Sequence, residues 1–76
     1  MKNITDILKS WKKEADVSTA IRFYYSSLSG TLTIYTSEIA KFIGYSGELI
    51  EKYNKLFKEK CSSFKIVEFI EMEFNR

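Results

Sequence analysis

The sequence predicts an α+β domain, on three observations. Apolar residues recur at helical spacing near the start of the chain and again past its midpoint. Two runs of β-branched and aromatic residues lie between those stretches, separated by a break containing glycine. A third such run closes the sequence. With 76 residues the chain has room for one domain over 1–76, with a thin core, and for no second one.

Each element has a local reason. Ile4, Ile7, Leu8, Trp11 and Ala15 form one helical stripe, and Lys2, Lys9, Lys12 and Lys13 take the remaining surface. Asn3 is the expected N-cap, Asp6 sets a negative charge against the positive end of the helix dipole, and Asp16, Val17 and Ser18 mark the exit. Residues 19–27 and 31–36 are too short and too rich in β-formers for helices. They are expected to make a hairpin, with Gly30 supplying a positive φ at the turn. Alternation puts Ile21, Phe23 and Tyr25 on one face of the first strand and Arg22 and Tyr24 on the other. In the second strand Leu32 and Ile34 oppose Thr31, Thr33 and Tyr35.

The helical period then returns. Ser37 is expected to cap a short helix from Glu38, with Ile39, Phe42 and Ile43 as its apolar stripe. Gly44-Tyr45-Ser46-Gly47 interrupts it, and a longer helix is expected over 48–60. Leu49, Ile50, Tyr53, Leu56, Phe57 and Cys61 form its inward face, while Glu48 with Lys52 and Glu51 with Lys55 stand i to i+4 outside. Residues 64–74 read as a last strand of imperfect alternation. Phe64 and Ile66 share a face with Glu68, and Val67 and Phe69 lie opposite. Either a bulge shifts the register or both faces are partly covered.

Composition removes several chemistries. Without His there is no His-based triad, no His-rich metal site and no imidazole pH switch. The lone Cys61 has no internal disulfide partner and no base to activate it, so a reducing interior and an inert core thiol are expected. Glu68, Glu71 and Glu73 are expected to line an exposed strand face, because oxygen-ligand sites need a turning loop to converge carboxylates. No catalysis, metal or cofactor is expected. No stretch approaches the roughly 20 apolar residues of a membrane span, and the N-terminus lacks a signal-peptide layout, so a cytoplasmic protein with no membrane partner is the expectation.

One motif carries a mechanism. Two of the three glycines sit as Gly-x-x-Gly between the expected helices. Glycines there let a nucleic-acid backbone approach closely, while the following helix presents free amides and its positive dipole end. On spacing alone, simple turn geometry explains the pair as well. Around it stand Thr33, Ile34 and Thr36 at a strand end, then Ile43, Gly44, Gly47 and Glu48, then Ile50, Glu51 and Lys52 without a gap. This run resembles the type II KH domain, in particular the KH domain of bacterial small-subunit ribosomal protein S3.

The resemblance implies a helix–strand–strand–helix–helix–strand order, with three strands in one sheet and helices packed on one face. It also implies a narrow groove for about four single-stranded nucleotides, beside a loop that grips their backbone. By position, Gly44, Tyr45, Ser46 and Gly47 would face phosphate. Ile39 would supply an apolar groove contact, and Lys41 and Lys52 charge at the rim. The middle of the loop is Tyr45-Ser46 where the family usually has Lys or Arg, and the net charge is only +2, so binding of single-stranded RNA or DNA is expected to be weak and salt-sensitive. The alternative is a degenerate KH domain serving as a protein-interaction module, such as a small phage- or plasmid-type accessory or assembly component. For that reading, or for a homodimer, Tyr24, Tyr35, Val67 and Phe69 are the candidate aromatic–apolar patch on an uncovered sheet face.

Overall fold

The computed structural model describes residues 4–72, so the expected Asn3 cap and Glu73 lie outside the described residues. Helix α1 (Ile4–Glu14) is followed by strands β1 (Arg22–Ser26) and β2 (Thr31–Thr36), helix α2 (Ile39–Ile43), a single 3-10 turn (Tyr45–Gly47), helix α3 (Glu48–Lys60) and strand β3 (Ile66–Glu71). The three strands form one mixed sheet in the order β1-β2-β3, antiparallel between β1 and β2 and parallel between β2 and β3. A parallel pair needs a long crossover, and residues 37–65, carrying α2 and α3, provide it.

The apolar stripe of α1 is inward as its spacing requires: Ile7, Leu8 and Trp11 are buried. The helix ends in a Schellman arrangement, in which the Val17 N–H donates to the Lys12 carbonyl and the Asp16 N–H to that of Lys13, both at 3.1 Å. Asp16 supplies the left-handed residue (φ 61°) that glycine usually provides. From there the chain enters β1 at Arg22, later than the expected start at residue 19.

Register decides the faces. Phe23 lies beside Ile34 and Ile34 beside Phe69, while Tyr25 lies beside Leu32 and Leu32 beside Val67. These residues share the helix-covered face, where Leu32, Ile34, Phe42 and Phe57 reach zero exposure. On the other face Tyr24, Thr33 and Glu68 form one row, and Arg22, Tyr35 and Ile70 the next. The pairing of β3 runs without interruption from Ile66 to Glu71, so neither a bulge nor a two-sided covering is needed. Phe64 precedes the strand and enters the core from the loop, stacking on Phe57 at 5.2 Å; Ile66, one residue pair further on, points out. The strand therefore starts at Ile66 and not at the expected residue 64, and residues 73–74 of the expected span lie outside the described residues.

Two further expectations are corrected. Ser37 does not cap α2. The helix starts at Ile39 without a side-chain cap, and the Thr36 hydroxyl accepts the Glu38 N–H at 3.0 Å. Lys52 does not pair with Glu48: its Nζ lies 2.9 Å from both carboxylate oxygens of Glu14 on α1. The Tyr53 hydroxyl donates to the same carboxylate at 2.7 Å, which ties α3 to α1. Lys52 and then Tyr53 hold the Glu14 carboxyl below its ordinary range, and burial with the Glu14 contact pushes the Tyr53 hydroxyl up to about 12.

Candidate nucleic-acid interface

The Gly44–Gly47 turn joins α2 to α3 through three left-handed backbones, at every position of the turn except Tyr45. Gly44 has φ 80° and ψ 177°, Ser46 φ 55° and Gly47 φ 77°. The Gly44 N–H closes α2 onto the Ala40 carbonyl, and the Gly47 N–H turns back to the Gly44 carbonyl at 3.2 Å. Gly47 is the N-cap of α3, which has no side-chain cap. The two glycines are required for different reasons. A Cβ on Gly44 would stand 2.9 Å from the Leu49 Cβ, so packing alone demands glycine there. At Gly47 such a Cβ would meet only Ile50 Cγ2 at 3.9 Å, an ordinary contact, so there it is the left-handed backbone, φ 77°, that favours glycine. Tyr45 is 86% exposed at its tip.

The charges around the turn are arranged less favourably for an anion. Lys41 makes an ion pair with Glu38 at 2.9 Å and donates to the Asp16 carbonyl at 3.3 Å. The Lys41 ammonium is raised above its usual pKa by Glu38. Glu38 is held down to about 2, first by the Thr19 hydroxyl at 2.6 Å and then by Lys41. Lys52 is engaged with Glu14. Both rim cations therefore have carboxylate partners, and Glu48 and Glu51 add negative charge to the first turn of α3.

Ile39 and Lys41 are brought together in an open cleft of about 360 Å³, lined by Ser37, Glu38, Ile39, Ala40, Lys41 and Glu71. The cleft lies between α2 and the end of β3, and the turn itself is not part of its lining. Ile43, Leu49 and Ile50 are half-buried, and Leu49 and Ile50 pack against the core.

Of the candidate patch, Tyr24 is 65% exposed and Tyr35 half-buried on the uncovered sheet face. Phe69 and Val67 lie on the opposite face. Phe69 packs 5.8 Å from both Trp11 and Phe42, so it belongs to the core and not to an interface. Ile66 and Ile70 take the places assigned to them, at 56% and 41% exposure. The sequence offered no signal for this exchange, because β3 carries apolar residues on both faces. Comparison with protein-family models, with curated proteins and with solved structures found no match to this chain.

Proposed function

We propose that the chain is a type II KH-like domain that binds single-stranded RNA, or single-stranded DNA, weakly through the Gly44–Gly47 turn. The carrying observation is the left-handed Gly47 at the start of α3, which no side chain caps, beside the exposed ring of Tyr45. With Ile50 Cγ2 at 3.9 Å the nearest atom to a Cβ placed there, its two chain neighbours aside, a phosphate oxygen has room at this backbone, and a base or sugar can stack on the tyrosine. The helix–strand–strand–helix–helix–strand order supports the same reading. Paired lysines and the adjacent Glu48 weaken it electrostatically, so few counterions are released on binding.

Fluorescence anisotropy of short single-stranded oligonucleotides at low salt tests the proposal. Wild type should bind, and a Tyr45→Asp, Ser46→Asp double variant should lose at least about tenfold in affinity, since two anions there repel phosphate. Ser46 already has the left-handed backbone that Asp tolerates, so the variant is compatible with the turn. Absence of wild-type binding at tens of micromolar protein refutes the nucleic-acid reading. Unchanged affinity in the variant refutes the assignment to this turn.

The carboxylate partners of Lys41 and Lys52 favour a second reading, in which the same fold is a protein-interaction module with Tyr24 and Tyr45 as anchors. No oligonucleotide binding, together with sedimentation that shows self-association reversed by Tyr24→Ser, is the result it expects.

A further inference from the structure

We infer that the sheet face not covered by helices is the contact surface of a symmetric dimer, in which β1 of one copy lies over β3 of the other and Arg22 pairs with Glu68 of the partner subunit. The Gly44–Gly47 turn joins two helices on the opposite side of the sheet, so the inference does not rest on the nucleic-acid reading. It rests on the second reading only in taking the domain as protein-binding, and it commits to a second copy as the partner.

The first observation is apolar surface. Tyr24 is 65% exposed on this face, Ile66 56% and Ile70 41%, with Tyr35 half-buried between them. Strand pairing puts all four on the side away from the core. An antiparallel or mixed sheet that meets water on one side ordinarily turns polar residues to it. Against a second sheet about 10 Å away, these side chains would instead interdigitate as the two inner faces of a sandwich do.

The second observation is charge. Among the strand residues of this face only Arg22 and Glu68 are charged, and they have opposite signs. They stand on the two edge strands, β1 and β3, one row of side chains apart. Neither is in an ion pair among the described residues, in contrast to Lys41 and Lys52. A nucleic-acid backbone on the same face would meet the Glu68 carboxylate with its own sign.

Symmetry turns that pattern into a choice of arrangement. A two-fold axis across the strands sets β3 over β3 and brings the two Glu68 carboxylates face to face, where like charges repel. An axis along the strands sets β1 over β3. Row by row it lays Tyr24 over the partner's Glu68 and Arg22 over the partner's Ile70, with the two Tyr35 rings meeting near the axis. Arg22 is then one row, about 7 Å along the strand, from the partner's Glu68, within the joint reach of the two side chains. The two-fold makes this contact twice. Three short strands give a small interface, so the dimer is a weak one.

The experiment is sedimentation equilibrium of the whole chain at low salt, up to about millimolar protein. Wild type should dimerise. Arg22→Glu and Glu68→Arg should each weaken the dimer at least about tenfold, because each turns two attractive contacts into repulsive ones. The Arg22→Glu, Glu68→Arg double variant exchanges the charges and keeps the net charge of +2, so it should recover wild-type dimerisation within about threefold. Both residues are exposed, and a native amide NMR spectrum of each variant confirms folding. A wild type that stays monomeric overturns the inference. So does self-association that neither single reversal weakens, or that the double variant fails to recover. If Tyr24→Ser still reverses such self-association, the protein-interaction reading stands with a different arrangement of the copies. Amide shifts on the Tyr24–Tyr35 face upon adding a single-stranded oligonucleotide would also overturn it, in favour of nucleic acid as the occupant.

Discussion

Trp11 is fully buried and touches four other aromatic rings. It stacks on Tyr53 at 5.1 Å with 8° between the planes and meets Phe42, Phe57 and Phe69 at 5.2, 6.0 and 5.8 Å. Its Nε1–H donates to the Phe42 carbonyl at 3.0 Å in a buried bond. A Trp11→Phe substitution keeps an aromatic ring but leaves that carbonyl without its donor. The expected loss is about 1–3 kcal/mol, read by chemical denaturation. A loss below about 0.5 kcal/mol would mean that the bond contributes nothing net. The inward position of Trp11 was legible from its spacing with Ile7, Leu8 and Ala15. Its hydrogen-bond partner was not, because Phe42 lies 31 residues away and backbone acceptors leave no mark on a sequence.

At the scale of elements, Glu38 links the segment after α1 to the start of α2. Its carboxylate accepts from the Thr19 hydroxyl and pairs with Lys41, which itself reaches the Asp16 carbonyl. The folded pKa of about 2 lies below the ordinary 4.5, so the ionised carboxylate is favoured in the native state. The resulting stability is fully present above the ordinary value and is lost as pH falls through the folded one. Denaturation of wild type and Glu38→Gln between pH 7 and 2 should show a difference that is constant in the upper range and shrinks below about pH 4.5. Two parallel curves throughout the range would exclude this role for Glu38. The sequence showed Lys41 and Lys52 as cations near a Gly-x-x-Gly motif and could not show that Glu38 and Glu14 occupy them. Lys52 illustrates the reason: its i−4 neighbour Glu48 was the local candidate, but it meets a carboxylate on another helix that Tyr53 also reaches.

For the whole molecule, the parallel pairing of β3 with β2 is the contact that closes the fold, and Gly30 is where it begins. The Gly30 carbonyl accepts from the N–H groups of Lys65 at 2.7 Å and Ile66 at 3.1 Å, which sets β3 in register beside the hairpin. Gly30 has φ 73°, and a Cβ there would collide with the Ser63 carbonyl oxygen and crowd Lys65. Gly30→Ala should therefore cost about 2–4 kcal/mol, the sum of a left-handed penalty and overpacking. A thermal melt should show a drop of at least about 8 °C; a drop under about 2 °C would show that the loop after α3 yields easily. The sequence by itself determined the helical stripes, the hairpin with its glycine turn and the order of elements, because each is written in residue periods of a few positions. Only the tertiary structure decided that Val67 and Phe69 face the core while Ile66 and Ile70 face out, and that both rim lysines are occupied. It alone set Arg22 and Glu68 on opposite edges of one uncovered sheet face. These outcomes depend on which distant elements meet, and β3 takes its inward face from the neighbouring β2 and α1 rather than from its own alternation.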